Sequence, residues 1–135
     1  MIELSNTNAQ ELAAGQSAVF DTIILHTGCA ECHRQNSGAI NLTQKNAIYE
    51  VSFNCNIGGV AAGDGQIAIT LDGSPLLETT AFTVIATAGD LVNVSGSTFV
   101  QTCYCGNPGT ILLTNTGTES INLGDHPRLS VKRIA

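Results

Sequence analysis

The chain has 135 residues and a mass of 14.0 kDa, with 43% hydrophobic residues, 12% charged residues and a net charge of −6 at pH 7. That length supports one domain with a core of its own and excludes two. The acidic balance excludes a nucleic-acid partner, because phosphates call for clustered Lys and Arg, and only five such residues are present. Three of those, Arg128, Lys132 and Arg133, lie in the last eight positions. No apolar run approaches the length of a membrane span, so no membrane insertion is expected. The first residues, Met1-Ile2-Glu3-Leu4-Ser5, carry no positive charge, and no Lys or Arg precedes Arg34. The expectation is synthesis in the cytoplasm without a signal peptide. Trp is absent and aromatics are 4%, so the core should be built from Val, Ile, Leu and Ala. A charge fraction about half the usual share implies that copies of the chain cover part of its surface.

Residues 1–15 are polar and weakly patterned and read as an N-terminal arm, leaving 16–135 as the folded domain. A first strand is expected over 18–25, followed by a loop over 26–36 and a short strand over 39–42. Residues 47–57 carry the clearest signal in the chain. Ala47, Tyr49, Val51, Phe53, Cys55 and Ile57 share one face of an extended strand, with Glu50, Ser52, Asn54 and Asn56 on the other. Ile67, Ile69 and Leu71 alternate in the same way, and Asp72-Gly73 is a two-residue hairpin signal. Pro75 places the return over 74–80 toward a sheet edge. Further short strands are expected over 82–86, 91–95, 98–103, 110–115 and 129–134, separated by Gly-, Asn- and Pro-rich turns. Fourteen glycines and no helical periodicity point to an all-β, two-sheet antiparallel sandwich or jelly roll.

The cysteines carry the chemistry that the sequence offers. Cys29-Ala30-Glu31-Cys32-His33 spells the haem-attachment pattern, but the only Met is the initiator, and His26 or His126 would have to supply the second axial ligand. Export is not signalled either, so haem is set aside. Cys29, Cys32, Cys103 and Cys105, with His33 as a spare ligand, could instead give a structural zinc ion a closed thiolate shell. Reduced thiols on two polar loops are the plain alternative. Cys55 continues the inward face of its strand and should be a buried small hydrophobe. The carboxylates are scattered, and neither a Ser-His-Asp arrangement nor a phosphate loop is present, so no catalytic constellation is read and the chain is expected not to be an enzyme.

Several segments resemble a known fold family. Val19-Phe20, then Gly38-Ala39-Ile40-Asn41-Leu42, then Tyr49-Glu50-Val51-Ser52-Phe53 resembles the G-x-I-x-L … G-x-Y-x-V-x-F signature of C1q/TNF-like jelly rolls, with Ala47 where the family's main strand usually opens on glycine. Ile69-Thr70-Leu71-Asp72-Gly73, Ile111-Leu112-Leu113-Thr114-Asn115-Thr116-Gly117 and the closing Leu129-Ser130-Val131-Lys132-Arg133-Ile134 resemble later strands of that family, so that residues 16–134 are covered. Gly28-Cys29-x-x-Cys32-His33-Arg34 with Cys103-x-Cys105 is similar to short virion-associated proteins of tailed phages and prophages of Gram-positive bacteria. The resemblance implies a homotrimer that serves as a capsid decoration or head-fibre module, located in the virion, with capsid or other virion proteins as partners. Life outside a reducing cytosol adds disulfides between the two loops as a third state of Cys29, Cys32, Cys103 and Cys105. The alternative function is a receptor- or carbohydrate-binding tip of a tail or bacterial surface fibre, with a host-surface glycan as ligand and Tyr104 as the lone aromatic on a loop.

Overall fold

The computed structural model describes residues 1–135. In chain order its strands are β1 (Ile2–Ser5), β2 (Gln10–Leu12), β3 (Thr22–His26), β4 (Glu31–His33), β5 (Ile40–Leu42), β6 (Ile48–Gly59) and β7 (Gly63–Leu71). There follow β8 (Ser74–Pro75), a 3-10 turn (Leu77–Thr79), β9 (Ala81–Ile85), β10 (Leu91–Gln101), β11 (Thr110–Thr114), β12 (Ile121–Leu123) and β13 (Arg128–Arg133). The alternation over 47–57 is realised in β6, where Tyr49, Val51, Phe53, Cys55 and Ile57 are buried while Glu50 and Asn54 are exposed. β10 pairs along one edge of β6, and β13 followed by β12 fills the other. That first sheet continues from β13 to β1 and β3, and from β12 to β2. The second sheet runs β4-β5-β11-β7-β8, with β9 paired to the first half of β7.

The inward faces of the two sheets meet in one core of 22 residues, aliphatic apart from Phe20, Tyr49, Phe53 and Cys55. The Asp72-Gly73 signal forms the expected hairpin between β7 and β8. Both central residues have positive φ, 51° and 85°, the geometry whose twist matches the flanking strands and that Gly adopts at no steric cost. Thr79, buried at the end of the 3-10 turn, accepts from the Ile69 amide at 2.9 Å and donates to the Leu76 carbonyl at 2.7 Å. It ties that turn to β7.

Several sequence expectations are corrected. Residues 1–15 are not an arm: Ile2, Leu4 and Leu12 are buried, β1 lies between β13 and β3, and β2 closes on β12. Their apolar residues are too few and too widely spaced to read as a pattern, and only distant partners give them a face to bury. The strand expected over 18–25 forms as β3, with Ser17 and Phe20 making isolated bridges to Thr114 and Ser37. The loop expected over 26–36 contains β4. Residues 74–80 hold only the two-residue β8 and the 3-10 turn. The strands expected over 91–95 and 98–103 are one strand, β10, since Ser95-Gly96-Ser97 is not a turn. Gly96 lies opposite Phe53, and a Cβ there would come within 2.8 Å of the Phe53 ring and 2.7 Å of the Thr79 carbonyl oxygen. β12 gives no sequence signal, because its three residues, Ile121, Asn122 and Leu123, are too short to show a period.

Burial along β6 leads to a stability expectation. Phe53→Ala should cost about 3–5 kcal/mol, the range for removing a buried ring, whereas Glu50→Ala on the exposed face should lie within about 0.5 kcal/mol of neutral. Denaturant melts of both variants check the register, and equal losses would contradict it.

Candidate functional site

The loop-bearing end of the sandwich is built around residues 42–46, the turn that leads from β5 into β6. Tyr49, whose ring is in the core, sends its hydroxyl to this end. It donates to the Ala30 carbonyl at 2.6 Å and accepts from the Gln44 amide at 3.2 Å. The Thr43 hydroxyl donates to the Cys29 carbonyl at 2.6 Å, and its amide donates to Ala30 at 2.9 Å. On the other side of the turn the Leu42 amide donates to the Gly109 carbonyl at 2.9 Å, and the Asn46 amide to the Cys103 carbonyl at 3.2 Å. Thr102, buried, donates to the Gln44 carbonyl at 2.8 Å and accepts from the Ala47 amide at 2.9 Å. Both cysteine loops are thus anchored to one turn.

They are anchored on opposite sides of it. Leu42 reaches Gly109 and Thr43 reaches Ala30, in keeping with the strand order β4-β5-β11. The two anchors are therefore separated by about two strand spacings, about 10 Å. All five cysteines are free thiols, with Cys29, Cys32, Cys103 and Cys105 exposed and Cys55 buried. No three His, Cys, Asp or Glu side chains are gathered so as to hold a metal ion. Cys29, Cys32, Cys103 and Cys105, expected as a shared four-thiolate shell, are not gathered into one in the single chain.

Glu31 gives no signal in the spacing of the sequence, yet it is buried. In β4 it points inward together with His33, while Cys32 points out. Its side chain is fully enclosed; Oε1 meets the Met1 amino group, and Oε2 has no hydrogen bond. The Met1 amino group also donates to the Thr27 carbonyl at 2.7 Å. His33 shares a hydrogen bond with the Ala39 carbonyl at 2.8 Å through Nδ1, so its buried Nε2 is left without a partner. The register of β4 on β5, with Glu31 opposite Leu42 and His33 opposite Ile40, is the signal that puts these two polar side chains inward. Asp21 has an ordinary role. The Thr22 hydroxyl donates to its carboxylate at 2.7 Å and holds its pKa below the usual value, and the Thr7 amide donates to the same oxygen.

The second surface is apolar. β9 pairs only with β7, and β10 only with β6, so both carry a free edge on one side of the sandwich. Around them Leu77, Phe82, Val84, Leu91 and Phe99 are all more than half exposed, Leu77 at 78% and Val84 at 67%. At the opposite margin of the first sheet, β3 exposes Ile23, Ile24 and Leu25. Two concavities complete the surface. One of about 260 Å³ lies by the β6–β7 turn, with Asp64 and Glu119 in its wall. The other, about 270 Å³, lies at the loop-bearing end between β5, the β7–β8 turn and the segment before β11.

Thiol chemistry follows from these positions. A thiol alkylating agent should modify Cys29, Cys32, Cys103 and Cys105 in the folded chain and reach Cys55 only after denaturation, which intact-mass analysis checks. Burial pushes the Cys55 pKa up from 9.0 to about 12. In the window between those values the unfolded chain holds fewer protons than the folded one. Stability should therefore be unaffected by this group below pH 9 and fall as the pH rises toward about 12. Uniform labelling of all five thiols in the native state would show that Cys55 is open.

No family model matches the sequence, and neither does any curated protein. The backbone, by contrast, is similar to solved structures along its whole length. Murine APRIL superposes with a TM-score of 0.65 at 10% identity, over 97% of this chain and 96% of that one. The globular domain of zebrafish complement 1qA gives 0.62 at 8% identity, with 98% of each chain covered. PRD1 vertex protein P5 gives 0.53 at 12% identity, over 99% of this chain and 96% of that one. Together with the two stacked antiparallel sheets, these likenesses establish the architecture: the chain is an all-β, C1q/TNF-like jelly-roll sandwich.

Proposed function

We propose that this chain is a non-enzymatic structural module that assembles as a homotrimer and serves on a virion, as a capsid decoration or head-fibre component. The observation that carries the assembly is the exposed apolar side chains around β9 and β10, on a chain that is only 12% charged. Phe82, Val84, Leu91 and Phe99 are large apolar side chains left wet along two neighbouring free edges, the kind of exposure that marks an interaction site when a copy covers it. The apolar margin at β3 lies on the other side of the sandwich and has a different composition, so a contact between the two is head-to-tail. Such a contact closes into a ring when its rotation permits, and otherwise grows into a filament. Closure with three copies is the arrangement implied by the resemblance to C1q/TNF-like jelly rolls. The virion role is supported by the Cys29-x-x-Cys32-His33 and Cys103-x-Cys105 resemblance to phage proteins, and by the likeness of fold to a vertex protein.

Light scattering of the purified chain should report about three times 14.0 kDa, with the double variant Phe82→Asp, Phe99→Asp reduced to the single-chain mass. A wild-type monomer at about micromolar concentration would overturn the assembly, since obligate interfaces are far tighter than that. Mass spectrometry of purified particles tests the virion placement separately, and absence of the chain from them would overturn it.

A further inference from the structure

We propose that the concavity between β5, the β7–β8 turn and the 107–110 segment binds a neutral hexose ring. Asn41, Asp72 and Asn107 would supply the hydrogen bonds, and Tyr104 a stacking face. The inference is independent of the assembly argument. At about 270 Å³ the hollow is below the usual range of about 300–1,000 Å³ for a drug-sized site, so it suits a single ring.

Two of its polar groups, Asn41 and Asp72, are already held in place by Thr110. The Thr110 hydroxyl donates to Asn41 Oδ1 at 2.9 Å, and the Thr110 amide donates to Asp72 Oδ1, also at 2.9 Å. These bonds leave Asn41 Nδ2 as a free donor and Asp72 Oδ2 as a free charged acceptor, and the Asn107 amide is uncommitted. A donor beside an acceptor on fixed supports is what adjacent sugar hydroxyls need, since each hydroxyl both donates and accepts. Gly109 keeps this acceptor open. A Cβ there would lie 3.3 Å from Asp72 Oδ2 and 2.7 Å from Leu71 Cδ1, so any side chain would roof the carboxylate. Tyr104 sits on the same loop, three residues before Asn107, with 83% of its surface exposed. An exposed ring on the loop that goes on to line the hollow can offer an apolar face to the C–H side of a sugar.

Other ligand classes fit poorly. No Lys, Arg or His lines the hollow, which leaves phosphate, sulfate and acidic sugars without a counter-charge. Asp72 is its single carboxylate, too few for a calcium cage. Leu42 and Pro108 are its main apolar components, too little for a lipid.

The test is a set of amide-resolved NMR titrations of the full chain. The probes are D-glucose, D-galactose, D-mannose, N-acetylglucosamine and N-acetylgalactosamine, with N-acetylneuraminic acid as the charged control. At least one neutral sugar should give saturable shifts confined to residues 41–42, 72 and 104–110, with a dissociation constant of about 1–10 mM, as expected for one ring in a shallow site. Asp72→Asn keeps the turn geometry and removes the charged acceptor, and it should weaken binding about tenfold. Tyr104→Ala alters only an exposed side chain and should weaken it about fivefold. The proposal is overturned if no neutral sugar shifts those amides, if only N-acetylneuraminic acid does, or if both variants bind as tightly as the parent.

Discussion

The pairing of β6 on both its edges is the constraint from which the rest of the sandwich follows. Twelve residues long, it lies against β10 along one side and against β13 and β12 along the other. A strand flanked twice can show only two side-chain faces. Its five inward residues therefore fix which faces of β10, β12 and β13 point to the core, because directly opposed residues in an antiparallel pair share a face. A slip of one residue would bury Glu50, Ser52 and Asn54 and expose Tyr49, Val51 and Phe53, a change no neighbouring strand could compensate. Gly96 belongs to the same constraint: β10 passes over the Phe53 ring only where it carries no side chain.

That strand also governs the end of the molecule where its chemistry is displayed. Tyr49 is wholly buried, yet its hydroxyl holds both the Ala30 carbonyl and the Gln44 amide. Thr102 does the same from the far side, binding the Gln44 carbonyl and the Ala47 amide. The turn between β5 and β6 is thus clamped from two directions by side chains that cannot move without disturbing the core. Four exposed thiols and the polar hollow beside Asp72 are carried on segments hydrogen-bonded to this clamp or to its neighbour Leu42. A rigid scaffold beneath variable loops is the usual arrangement for recognition.

The sides of the sandwich face the opposite problem. β3, β9 and β10 are edge strands, and soluble proteins commonly blunt such edges with charge, proline or bulges. Here β1 and β3 do shift register between Glu3 and Leu4, but the exposed positions of β9 and β3 include Phe82, Val84, Ile23, Ile24 and Leu25. Lys and Arg are absent from β3, β9 and β10. Edges protected so lightly are consistent with edges covered by another copy.

What the sequence determined by itself is the class of fold and its central strand, because period-2 alternation over 47–57 and the Asp72-Gly73 turn are local signals. Each is written in neighbouring residues and needs no knowledge of the rest of the chain. The C1q/TNF-like reading was also legible, since it rests on those same strands. The tertiary structure alone decided everything that depends on residues far apart. Ile2, Leu4 and Leu12 became core only because β13 and β12 lie beside them, and Ser95-Gly96-Ser97 stayed extended only because Phe53 and Thr79 fill the space next to Gly96. The candidate site divides in the same way. Spacing found the cysteine pairs, but only the folded chain shows that they are not gathered at one point. Glu31 was hidden among polar loop residues until the register of β4 against β5 turned it inward, and Asn41, Asp72 and Thr110 form one polar array only because their hydrogen bonds join two strands and a turn that the chain visits at widely separated points.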